Sequence, residues 1–210
     1  MVKFKRSRKK RESRRIFLIV TEGNIDEIYF KQYRKHRNNS ESKVYINVKT
    51  AGHATDPYNI VRYAVKEKNK IKDNSNALGG IFCVFDIDIV VKTKEKTVKE
   101  NLSKAENLGK RNNISLITSF PCFELWLLLY FEDYNKPGFE CETVIKELQK
   151  FLSSYSKNKK EFDKINFFDK YSDKFGDALN RAKKLKFKNN SDNLLNYPYT
   201  KIYEIFEAIK

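Results

Sequence analysis

Three acids stand out by where they fall. Glu22 follows the apolar run 16–20, and Asp86 and Asp88 follow the apolar run 81–85. Asp86 and Asp88 are two apart, so in extended chain their side chains share a face. Carboxylates gathered in one place repel unless something positive lies between them. Oxygen ligands of this kind suit a hard divalent cation, Mg²⁺ or Mn²⁺. Such ions bind phosphate oxygens, and a pair of them can activate water and stabilise the leaving oxygen of a phosphodiester. The plainer readings stay open. Glu22 before Gly23 suits a solvated turn, and an Asp-x-Asp triplet occurs in many loops.

Three further residues qualify as supporting groups. Asp26 falls in the first turn of a predicted helix, where the helix dipole alone favours an acid. Glu124 is the one acid inside the apolar stretch 122–130, where a carboxylate needs a cation or hydrogen-bond donors. It either completes a helix start, holds a Lys or Arg, or reaches the metal site. His53 lies in a Gly-containing loop, as a proton carrier or as an inert surface imidazole. Only His36 and His53 offer imidazole, so a zinc site of the Cys/His kind is not expected. No G-x-x-x-x-G-K-[ST] run is present, so the chain is not expected to be an NTPase itself.

The elements that must position these groups alternate. Continuous apolar runs at 16–20 and 81–85 predict strands buried on both faces, as in a parallel sheet. Strands are also predicted over 44–48 and 114–118, and helices over about 25–36, 57–71, 94–111 and 121–131. This β-α alternation predicts an α/β fold with a parallel sheet of about four strands flanked by helices. Ligands of such sheets gather at the carboxyl ends of the strands, where Glu22, Asp86 and Asp88 fall. The chain divides into a basic arm (1–15), an α/β core (16–134) and a helical C-terminal cover or subdomain of the same unit (135–210).

Charge is uneven. The net charge is +16, and residues 1–15 carry nine basic groups against one acid. Those nine are Lys3, Lys5, Arg6, Arg8, Lys9, Lys10, Arg11, Arg14 and Arg15. A block of like charge stays extended and serves either as an arm against a polyanion or as a solubilising tail. A nucleic acid is the expected partner, and a homo-oligomer is compatible with the pattern. A membrane is not expected, because no apolar run reaches the roughly 18 residues that span a bilayer. Cys83, Cys122 and Cys141 form no C-x-x-C pair, and their odd number argues against a disulfide framework. They are expected as buried, reduced thiols, which places the chain in the cytoplasm.

Four segments carry a resemblance: 16–30 (IFLIVTEGNIDEIYF), 82–88 (FCVFDID), 119–131 (SFPCFELWLLLYF) and 196–203 (NYPYTKIY). Together they resemble the RloB-like family over about residues 14–210. The resemblance implies a TOPRIM-like fold with Glu22, Asp86 and Asp88 at its acid positions. It also implies a nuclease effector of bacterial phage defence and abortive infection, acting on RNA (including tRNA) or DNA, often beside an ABC/AAA-type ATPase. The alternative it leaves is a non-catalytic binding or sensor subunit of such an ATPase. Ile25, Asp26 and Phe120 depart from the usual Thr, Glu and Asn; the last would remove a polar contact near the site.

Overall fold

A computed structural model of the chain describes residues 15–38, 44–52, 56–71, 78–87, 96–134, 136, 140–188 and 197–210. The first part runs β1 (Arg15–Thr21), α1 (Asn24–Asn38), β2 (Val44–Thr50), α2 (Pro57–Lys70), β3 (Leu78–Asp86) and α3 (Lys96–Asn112). It continues through β4 (Ser115–Phe120) and α4 (Glu124–Leu128). The remainder is α5 (Cys141–Phe151), α6 (Lys159–Ile165), α7 (Phe167–Tyr171), α8 (Phe175–Lys188), β5 (Tyr199–Thr200) and α9 (Ile202–Ile209).

The strands form one sheet in the order β2-β1-β3-β4-β5. The first four are parallel, and β5 runs antiparallel to β4. Parallel connections are right-handed, so a change of direction across the sheet changes the face on which the helix lies. The step from β1 to β2 runs one way, and the steps β2 to β3 and β3 to β4 run the other. Accordingly α1 packs on one face and α2 and α3 on the opposite face.

Strand alternation feeds both layers. Phe17 and Ile19 of β1 join Phe82 and Val84 of β3 in the core under α1, while Leu18, Val20, Ile81, Cys83 and Phe85 face α2. Gly79 makes room at the start of β3, since a Cβ there would sit 2.4 Å from the Phe17 ring. The C-terminal helices pack on the α1 face. Val144, Leu148, Phe162, Phe167, Ala182 and Phe206 belong to the same core as Tyr29 and Trp126.

Two elements differ from the reading of the sequence. The apolar stretch predicted as a helix over 121–131 is helical only over Glu124–Leu128. The Phe120–Pro121 peptide is cis, and tight turns close the segment beyond Leu128 (Tyr130 N–H to Leu127 O, 3.3 Å; Phe131 N–H to Leu128 O, 2.9 Å). A run apolar at nearly every position marks burial but carries no period from which to read its ends. The second difference is β5, two residues inside a segment expected to be helical. It is tied to β4 by Ser119 Oγ and Thr200 Oγ1 at 2.9 Å, and two residues are too few to show alternation.

Trp126 is fully buried and stacks on Phe206 with ring centroids 5.6 Å apart. Truncation to Ala leaves a large cavity that the α1, α4 and α9 side chains cannot close. Trp126→Ala should lower unfolding free energy by about 3–5 kcal/mol in a denaturant titration, and Trp126→Phe by much less. A cost under about 1 kcal/mol for the Ala variant would contradict this packing.

Candidate metal centre

β1 and β3 are neighbours, yet the chain leaves them in opposite directions, by α1 towards β2 and by α3 towards β4. The carboxyl ends of such a strand pair open into a crevice, and that crevice is where open α/β sheets bind ligands. Glu22 is the first residue past β1, and Asp86 is the last of β3. The two ends are laced together: Glu22 N–H donates to Val84 O at 2.9 Å, and Asp86 N–H donates to Glu22 Oε2 at 3.2 Å.

Parity decides what Asp86 meets. Phe82 and Val84 face the layer of α1 and α4, so Asp86 faces it as well. Asp26 comes from the first turn of α1 and is buried. Its carboxylate folds back over the turn, where Gly23 N–H donates to Oδ2 at 3.4 Å. A Cβ at Gly23 would lie 2.8 Å from Asp26 Oδ1, so the turn needs glycine for the carboxylate to approach. Glu124 opens α4 and is buried too. It accepts from the Tyr155 hydroxyl at 2.7 Å and pairs with Lys157 at 3.5 Å.

These acids act on one another. Burial, and then the charges of Asp26, Glu124 and Glu22, push the Asp86 carboxyl well above the ordinary carboxylate range, against a hydrogen bond from Phe123 N–H. Burial lifts Asp26 to about 7, against hydrogen bonds from its own and the Gly23 N–H; Glu124 adds to the rise and Lys157 offsets it. Burial and the nearby Glu124 carboxylate raise the Tyr155 hydroxyl, so it stays protonated and serves as a donor. Asp26 and Glu124 are buried and Glu22 and Asp86 half-buried; oxygen-only and mutually repelling, this donor set fits a hard divalent cation such as Mg²⁺ or Mn²⁺.

Linkage gives the arrangement a pH signature. Asp26 has a folded-state value above its unfolded one, so the folded chain binds the extra proton. Its penalty is absent below about 4 and complete above about 7. The unfolding midpoint in EDTA should therefore fall between pH 5 and 8, and Asp26→Asn should flatten that fall. A midpoint rising across the range would contradict the site's electrostatics.

The cysteines correct the sequence reading. Cys83 is free and buried, but Cys122 and Cys141 form a disulfide with Cα atoms 5.6 Å apart. An odd count leaves room for one pair and one thiol. The partners lie 19 residues apart, and their apposition arises only when α5 docks beside α4. The pairing removes the ground on which reduced thiols argued for a cytoplasmic chain. Cys122, Glu124 and Cys141 have potential ligand atoms within 4.8 Å of one another, but a sulfur in a disulfide offers no thiolate. Glu124 is the member of that group able to serve a hard cation.

Asp88, His53 and the arm residues Lys3, Lys5, Arg6, Arg8, Lys9, Lys10, Arg11 and Arg14 lie outside the described residues. Arg15 opens β1, with its guanidinium 5.0 Å from the Phe17 ring centroid. Phe120 faces the opposite layer and packs on Tyr199, away from the acids. Tyr155 and Lys157 were not legible as site residues. Their one signal is a lone aromatic in the polar stretch 153–160. Among the described residues no helix is long and apolar enough to cross a membrane. A family model described as RloB-like protein matches residues 17–209. No curated protein and no solved structure matches the chain.

Proposed function

The chain belongs to the RloB-like family, and from that premise and its partly buried acid cluster we propose a nuclease that hydrolyses nucleic-acid phosphodiesters with Mg²⁺ or Mn²⁺. The observation that carries the proposal is the convergence of Glu22, Asp26, Asp86 and Glu124 at the crevice between β1 and β3, where Asp86 is held far from easy ionisation. Glu22 and Asp86, with Asp88 two positions further along the chain, would hold the ion. Asp26 and Glu124 would complete or orient the set. Bound there, the ion would neutralise phosphate oxygens and activate water for attack on phosphorus.

The protein's own groups do the rest. The Asp86 N–H fixes the Glu22 carboxylate, and the Tyr155 hydroxyl fixes Glu124, so neither acid pays ordering entropy when a ligand arrives. The basic arm adds contacts to backbone phosphates, which give affinity without sequence choice. The wider role, an effector of anti-phage defence beside an ABC/AAA-type ATPase, rests on the family alone.

Mixed RNA (tRNA included) and DNA should be incubated with the protein in Mg²⁺, Mn²⁺ or EDTA, with and without an ABC/AAA-type ATPase. Cleavage of one of these polymers in Mg²⁺ or Mn²⁺, and none in EDTA, is the expected result. Binding of nucleic acid with no cleavage under any of these conditions would replace the enzyme with a non-catalytic binding subunit.

A further inference from the structure

Lys157 stands between anchored neighbours at the rim of the acid cluster. Tyr155 is buried and bonded to Glu124. Asn158 caps α6, its Oδ1 accepting from the N–H groups of Lys160 and Glu161 at 2.9 and 3.3 Å. Lys159 reaches back to Glu27 of α1 at 3.2 Å. With both sides tied, the backbone at 157 is fixed beside the start of α4. The Lys157 ammonium lies 3.5 Å from Glu124 Oε1 and 3.3 Å from Cys141 Sγ, while its side chain stays 55% exposed. It is a cation that reaches the acids from the solvent side.

A divalent ion would compete with that contact. Ion and ammonium seek the same Glu124 carboxylate, and once the ion is bound the two cations repel. The exposed four-carbon stem lets the ammonium move without uncovering core. An anion brought to the ion would then meet its three donors. Neighbouring lysines are placed differently: Lys31 and Lys159 are both held by Glu27, and Lys160 is exposed on α6.

We propose that Lys157 is the phosphate contact of this site: with a divalent ion on the carboxylates, its ammonium leaves Glu124 and binds a non-bridging oxygen of a nucleic-acid phosphodiester. This inference rests on the metal-dependent nuclease reading.

The test is a calorimetric titration of a single-stranded tetranucleotide into the full-length protein, in Ca²⁺ and in EDTA, with RNA and DNA versions as separate arms. Wild type, Lys157→Ala, Lys157→Arg and Lys160→Ala are compared; the basic arm is common to all and cancels from the ratios. In Ca²⁺, Lys157→Ala should bind at least tenfold more weakly than wild type in the RNA or the DNA arm. Lys157→Arg should recover most of the loss, and Lys160→Ala should stay within about twofold. In EDTA the wild type and Lys157→Ala should match, because Glu124 then holds the ammonium. Titrated with Ca²⁺ alone, Lys157→Ala should bind the ion at least as tightly as wild type. Equal losses in Ca²⁺ and EDTA, or an equal loss in Lys160→Ala, would reduce Lys157 to general surface charge and overturn the inference. A wild type that responds to Ca²⁺ while Lys157→Ala matches it would overturn this inference alone. A wild type indifferent to Ca²⁺ would overturn the metal reading together with it.

Discussion

Asp86→Asn should cut metal-dependent cleavage by at least roughly 10²–10³-fold while making the metal-free protein more stable. Both effects have one origin. Asp86 sits where Asp26, Glu124 and Glu22 already place negative charge in a buried setting. An amide of the same shape removes an ionisable group that burial and its neighbours' charges disfavour. At pH 8 in EDTA the unfolding midpoint should rise. A site for a cation behaves this way: its ligands destabilise the empty protein and are retained for what they bind. Loss of activity together with a lowered unfolding midpoint would show instead that Asp86 supports the fold.

Glu124→Gln should separate the two tasks open to this residue. The amide oxygen still accepts from the Tyr155 hydroxyl, and Lys157 remains solvated because its side chain is half exposed. The unfolding midpoint should therefore hold or rise. The Mg²⁺ concentration for half-maximal activity should rise by roughly 10–100-fold, the effect of weakening a group that supports or completes a metal site. Full specific activity with a loss of about 3–5 kcal/mol would mean that Glu124 serves only its buried partners.

The sheet was legible because its strands carry local signals. The runs at 16–20 and 81–85 are apolar at every position, and that pattern belongs to strands covered on both faces. The same signal placed Glu22 and Asp86 at carboxyl ends, since Asp86 follows its run directly and Glu22 follows with only Thr21 between. Their convergence needed the strand order, which sets β1 beside β3. Asp26 was ambiguous in sequence, because a first-turn acid is common for electrostatic reasons alone. Its burial over the Gly23 turn is a tertiary fact. Tyr155, Lys157 and the Cys122–Cys141 bond were hidden for a related reason. All depend on how α5 and the segment after it dock on α4, a contact between residues with no shared period or motif.

The most direct test of the central claim is anomalous diffraction from crystals soaked in Mn²⁺. The account predicts a peak at bonding distance from carboxylate oxygens of Asp86 and Glu22, in the crevice between β1 and β3, displaced when Mg²⁺ is added in excess. A map with no peak at these acids, in crystals where Mn²⁺ is seen elsewhere, would contradict it.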